Sequence, residues 1–236
     1  MTRSATATAH RTQALAGVLE RSEQGGHTCP SPETYPHQWC WDSCLSSLGW
    51  AVLDPARGYG ELERLVGAAG PDGVVPHVAY TPGVEGYLPG PDWWGLTGAD
   101  GRAVSGLCQP PLGGTCLAAL LDRHPDRRRA RALVDPLARW HAGLVAVRGR
   151  WTGGEPVLVH PWESGRDDAP EWDAPLARAP EARRAFTRLD TLHVRAAERP
   201  TDAQYRRYLG LVEWRAGRRD PEALPLRAPF RVLDPG

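Results

Sequence analysis

The sequence predicts an all-α chain, about half of a barrel of paired helices. Three observations support that fold class. About six stretches carry helical periodicity, strand alternation is almost absent, and short and long connections alternate between the helices. Alternating connection lengths gather the long loops on one side of such a barrel, and function is expected on that side.

Taken in order, residues 5–23 form the first helix, with Leu15, Val18 and Leu19 on one face and Gly25-Gly26 as its stop. A Pro-rich lead then brings the chain to Tyr35-Pro36-His37-Gln38-Trp39-Cys40-Trp41-Asp42. A second helix starts near there and runs to about Leu53, where Asp54-Pro55 ends it. Pro55 opens a third, carrying Leu62, Leu65 and Val66 and closed by Gly67 or Gly70. Residues 71–111 hold many Gly and Pro and no sustained period, so they read as one long, aromatic-rich loop region. Helix resumes over residues 112–123. After Pro125 a longer helix carries Leu133, Val134, Leu137, Trp140, Leu144 and Val145 as one stripe. The last helix begins at Thr201, where Gln204 completes a capping box, and presents Tyr205, Tyr208, Leu209 and Val212.

Composition bounds the function. The 28 basic residues balance the 28 acidic ones, so electrostatics favours neither nucleic acid nor an anionic membrane as partner. All the basic residues are Arg, and Lys, Ile and Asn are absent, which reads as the codon bias of a GC-rich genome and leaves single Arg residues uninformative. The first 22 residues have no apolar signal region and no apolar run reaches membrane-spanning length, so the expected location is the cytoplasm. Five Cys without framework spacing fit reduced thiols. His37, Cys40 and Cys44 lack a fourth ligand at a usual zinc spacing, and no phosphate-binding Gly loop occurs. No metal or cofactor is expected. Ten Trp against two Phe is better explained by a wet, aromatic-lined cleft than by a dry core, because each indole N–H needs a partner.

One stretch concentrates chemistry: residues 160–173, His-Pro-Trp-Glu-Ser-Gly-Arg-Asp-Asp-Ala-Pro-Glu-Trp-Asp. It sets five carboxylates and two Trp among Pro and Gly, with no amphipathic period. An acid beside indole suits sugar cleavage, since the aromatic face covers a pyranose and burial raises the acid's pKa toward that of a proton donor. An acidic surface loop with pinned tryptophans would look the same. Asp42 likewise reads either as a helix cap or, with Tyr35, Trp39 and Trp41, as part of a sugar subsite. Ser164 lacks a nucleophile elbow.

Several motifs taken together resemble one family. They are Tyr-Pro-His-Gln-Trp-x-Trp-Asp at 35–42, Pro-Asp-Gly-x-Val-Pro-His at 71–77 and Gly-Tyr-Leu-Pro-Gly-Pro at 86–91. Ser-Gly-x-x-Gln-Pro-Pro at 105–111, His-Pro-Trp-Glu-Ser-Gly-x-Asp at 160–167 and Arg-Pro-Thr-x-x-x-Tyr-x-x-Tyr at 199–208 follow in order. In this register the chain resembles the bacterial glucosylglycerate and mannosylglycerate hydrolases of glycoside hydrolase family 63. The resemblance implies one catalytic domain over 1–236, the N-terminal half of an (α/α)6 barrel, and hydrolysis of an α-glycosidic bond with inversion.

By that resemblance Asp167 is the general acid. Tyr35, Trp39, Trp41, Asp42, Gln109, Trp162 and Gly165 match positions around the cleaved sugar, and His77, Tyr87, Arg199 and Tyr205 match those that approach the glycerate. Inversion needs a base about 6.5–9.5 Å from the acid across the sugar. The family's base is a Glu in the C-terminal half of the barrel, whereas this sequence runs only to Phe230-Arg231-Val232-Leu233-Asp234-Pro235-Gly236. The expectation is therefore a small-glycoside hydrolase that is impaired as this chain, with self-association or a C-terminal half in trans as its macromolecular partner. A non-catalytic sugar-binding fragment and a trehalase-like or debranching-type glucosidase are the alternatives. Asp168 stands where the motif leads one to expect Asn.

Overall fold

The structure, a computed structural model, describes residues 2–150 and 153–217. The C-terminal residues that bear on the expected truncation, including 230–236, lie outside the described ones. Seven α-helices occur among the described residues: α1 (Thr2–Arg21), α2 (Cys40–Leu53), α3 (Pro55–Gly67), α4 (Gly113–Arg123), α5 (Arg127–Arg148), α6 (Asp173–Ala177) and α7 (Asp202–Gly217).

Local chemistry explains the helix boundaries. Asp54 serves two helices at once: its backbone N–H closes α2 on the Trp50 carbonyl at 2.6 Å, and its carboxylate accepts the Ala56 and Arg57 amides that open α3. The result is a tight hairpin, in which a Cβ on Gly58 would lie 2.6 Å from the Ser47 carbonyl. Asp126 caps α5 through the Arg129 amide at 3.0 Å. At α7 the Thr201 hydroxyl accepts from the Gln204 amide at 3.3 Å, and the Gln204 side chain accepts the Thr201 amide at 2.8 Å.

Burial follows the helical period with one narrowing. On α5 Leu133, Leu137, Trp140 and Leu144 are buried, but Val134 and Val145 face solvent. On α7 all four expected residues, Tyr205, Tyr208, Leu209 and Val212, are buried. Most of the core lies in two clusters. One cluster joins α2–α5 around Leu62, Leu65, Leu120, Leu133 and Trp140, and the free thiols of Cys40 and Cys44 pack within it. The other is aromatic and packs Trp39, Tyr80, Trp94, Val159 and the buried face of α7.

Residues 71–111 correct the expectation of an unbroken loop. β1 (Gln38–Trp39), β2 (Val78–Ala79), β3 (Leu96–Thr97) and β4 (Ala103–Val104) form an antiparallel sheet in the order β1-β2-β4-β3. Each strand is two residues long, too short for alternation to show in a sequence. The sheet passes straight into α2, because the Cys40 amide donates to the His77 carbonyl at 3.0 Å and the His77 amide to the Leu107 carbonyl at 2.9 Å. Trp39 therefore belongs to the aromatic cluster and Cys40 to the helical one. The site opens at that seam. Among the described residues no helix is long and apolar enough to cross a membrane.

Candidate active site

The loop between α5 and α6 is held from below by one carboxylate. Glu163 is fully buried and ion-paired with the buried Arg148 at the end of α5. It also accepts the Val159 amide at 2.8 Å, the Cys108 amide at 3.1 Å and the Cys108 thiol at 3.4 Å. Although burial pushes the other way, Arg148 and these amides hold the Glu163 carboxyl below its ordinary range. His160, also buried, accepts the Trp162 amide on Nδ1 at 3.1 Å and donates from Nε2 to the Tyr208 carbonyl at 3.0 Å. Its tautomer is thereby fixed, and burial lowers its pKa to about 4. The Ser164 hydroxyl donates to the Pro161 carbonyl at 2.6 Å and accepts the Arg166 amide at 2.9 Å, so it is a turn-former.

Gly165 follows with φ +67, and an added Cβ would sit 2.3 Å from Cη2 of Trp41. Only glycine gives this turn and lets the indole lie flat against the backbone. Gly165→Ala is expected to displace Trp41, cost about 1–3 kcal/mol of stability and weaken sugar binding. Thermal unfolding and tryptophan fluorescence during sugar titration check this. Unchanged quenching would show that Trp41 need not lie where it does.

Beyond this turn Asp167 enters a cavity of about 410 Å³. Tyr35, Trp39, Trp41, Asp42, Tyr87, Gln109, Trp162, Gly165, Arg199 and Tyr205 line it too, so the structure brings together all but one of the residues singled out in the sequence. His77 is the exception. It is fully buried behind the wall, stacked on Trp162 with ring centroids 6.3 Å apart, edge-on to Trp39 at 5.1 Å, and bonded from Nδ1 to the Ser105 hydroxyl at 2.6 Å. It backs the aromatic walls instead of touching what they enclose.

The two aspartates are electrostatically alike. Burial raises the Asp167 carboxyl to about 6 against the pull of Arg199, with Asp168 adding to the rise. Burial also raises Asp42 to about 6. Asp42 is not the cap of α2: Trp39 occupies that position, and Gln109 Oε1 accepts the Trp41 amide at 3.3 Å from across the chain. That leaves the Asp42 carboxylate on the cavity. The Tyr208 hydroxyl donates to the Asp167 carbonyl at 3.0 Å and lies 3.4 Å from Oδ1 of Asp168, the residue that stands where Asn is expected.

On the opposite wall Arg199 is positioned by Asp190, which accepts its Nε at 3.0 Å and is itself gripped by Arg188 at 2.7 and 3.0 Å. The guanidinium lies 5.9 Å above the Tyr35 ring. Tyr205 lines the cavity, but its hydroxyl donates to the Leu88 carbonyl at 2.9 Å, tying down the loop that carries Tyr87. The Trp excess is only partly a matter of the cleft. Trp39, Trp41 and Trp162 line it, whereas Trp50, Trp93, Trp94 and Trp140 are core, with the Trp50 and Trp94 N–H groups answered by Thr28 and Tyr80 hydroxyls at 2.7 Å. Sequence reasoning missed the parts played by Arg148, Tyr208 and Asp190. Discounting single Arg residues hid the first, Tyr208 stood in the 199–208 motif and on a helix stripe but without a role at the site, and nothing in the local pattern marked Asp190. Among the described residues no group of three or more His, Cys, Asp or Glu side chains could hold a metal ion.

Comparisons with known proteins give the family and the fold. A mannosylglycerate hydrolase of Thermus thermophilus is 40% identical over 226 residues, covering 93% of this chain and 54% of that protein. A glucosylglycerate hydrolase of Mycolicibacterium hassiacum is 36% identical over 236 residues, covering 93% and 53% respectively. The chain thus spans about half the length of the curated relatives it matches. A crystal structure of a Thermus thermophilus mannosylglycerate hydrolase of glycoside hydrolase family 63, in complex with Tris and D-glycerate, superposes with a TM-score of 0.79 at 40% identity, over 86% of this chain and 49% of that one. That fold is an (α/α)6 barrel, of which the helices described above make about half. Residues 35–236 match the mannosylglycerate hydrolase MGH1-like glycoside hydrolase domain, and the chain belongs to that family.

Proposed function

We propose that this chain supplies the acid-bearing half of an inverting α-glycosidase acting on a small glycoside of glyceric acid, with mannose or glucose as the cleaved sugar. One observation carries the reading: Asp167 and Asp42, both raised to about 6, share an indole-walled cavity with Arg199. A carboxyl in that range is protonated often enough near neutrality to protonate a leaving oxygen. The faces of Trp41 and Trp162 suit the apolar side of a pyranose. Arg199, held by Asp190 and charged throughout the working pH range, suits the glycerate carboxylate by charge-assisted hydrogen bonding. Because Arg199 and Tyr205 both line the cavity, glycerate is favoured over the second sugar of a trehalase-like substrate.

The water-activating base is assigned to the half of the family's fold that this chain does not span. The test is hydrolysis of mannosylglycerate and glucosylglycerate by the 236-residue chain, alone and with the C-terminal half of the Thermus relative in trans. Turnover is expected with the added half, and at most a trace without it. Full turnover by the lone chain would place the base within it. Sugar-dependent tryptophan quenching with no turnover in either mixture would favour a binding fragment.

A further inference from the structure

A second cavity, of about 270 Å³, lies behind the 160–173 loop and shares no lining residue with the sugar cavity. Its walls include Val74, Leu107 and Leu144, with Ser105, Arg148 and Arg215 among its polar groups. Arg148 is the telling residue. Nη2 pairs with Glu163, but the buried Nε and Nη1 find no acceptor among the described residues. The Cys108 thiol beside it is at best a weak acceptor, and burial raises that thiol to about 12, so it stays neutral. Arg215 donates from Nε to the Gly106 carbonyl, and its guanidinium is repelled by that of Arg148.

Two guanidiniums thus face one buried carboxylate. Asp72, on the rim, is exposed and accepts the Val74 amide at 3.0 Å, so solvent screens its charge. A buried N–H without an acceptor is costly, more so when it is charged, and an anion between the two arginines offsets that cost. We infer that the cavity bounded by Arg148 and Arg215 is a binding site for a small inorganic oxyanion, phosphate being the representative ligand.

The site bears on the catalytic loop without being part of it. Arg148 holds Glu163, and Ser105 on the cavity wall fixes His77, whose ring stacks on Trp162. An anion there shares Arg148 with Glu163 and stiffens the floor beneath Asp167.

The inference does not rest on the glycosidase reading, and its test needs no turnover. The 236-residue chain is titrated with sodium phosphate at ionic strength held constant with sodium chloride, followed by calorimetry and by 31P line width. A saturable heat and a broadened phosphate line are expected, with half-saturation in the millimolar range. Arg215→Gln should weaken the affinity at least tenfold, Arg215→Lys should weaken it less, and Asp167→Asn should leave it unchanged. Phosphate also stabilises proteins by exclusion from their surface, an effect that does not saturate. A response linear in phosphate, or one that persists in Arg215→Gln, would overturn the assignment.

Discussion

Asp167→Asn is expected to lower kcat on mannosylglycerate or glucosylglycerate by about 10²–10⁴-fold, measured with the chain completed by a C-terminal half, while KM changes little. The magnitude is that of a lost general acid. An amide of the same shape keeps the cavity but has no proton to give the departing glycerate oxygen. The role can be separated from mere damage by varying the leaving group. A dinitrophenyl glycoside departs without protonation, so the same substitution should cost it far less. Equal losses on both substrates would show that Asp167 orients the sugar and does not protonate the bond.

The pH dependence has a definite sign. A donor raised to about 6 is increasingly ionised above that value, so turnover should decline on the alkaline side, and that limb should vanish in Asp167→Asn. The same shift is a statement about stability. Between the ordinary aspartate value of 3.8 and about 6 the folded chain holds more protons on this carboxyl than the unfolded one does, so the contribution of Asp167 to stability falls as pH rises through that window. Asp167→Asn should therefore unfold at a higher temperature than the native chain at pH 7.5, with the difference gone near pH 4. Asp42 titrates with the same sign and buried histidines such as His160 with the opposite one, so the effect is read as the difference between variant and native chain, and that difference should grow when Asp42→Asn is combined with Asp167→Asn.

Six of the seven helices were legible because they carry local start, stop or stripe signals, whereas the five residues of α6 are too few to show a period. Asp54-Pro55, the Thr201–Gln204 box and the buried face of α7 need no distant information. The cavity was legible for a different reason: aromatic and acidic residues too dense to be packing lie at 35–42 and 160–167, and the two segments meet through Gly165 and Trp41. What escaped was long-range pairing. Gln109 reaches Trp41 across 68 residues, and the two-residue strands exist only through their partners. His77 lay within a family motif, yet its motif could not say whether it faces the cavity or the back of its wall.

The costliest substitution for the fold should be Glu163→Gln, although Glu163 lines no part of the sugar cavity. Removing one partner of a buried ion pair strands the other charge, and the expected loss is about 3–5 kcal/mol. For a chain of this size that corresponds to a drop of roughly 6–20 °C in Tm. Gln retains an oxygen for the Val159 or Cys108 amides, so much of the loss should come from the stranded Arg148. Calorimetric unfolding of Arg148→Met with Glu163→Leu tests that attribution. An apolar pair of similar volume removes both charges and should recover part of the stability, but the unanswered amides of Val159 and Cys108 keep it below the native value. Because Gly165 and Asp167 hang from the segment Glu163 fixes, sugar affinity should fall with Glu163→Gln even at temperatures where the variant is fully folded. A variant that loses stability but binds sugar as the native chain does would mean that Tyr208 and His160 suffice to place the acid.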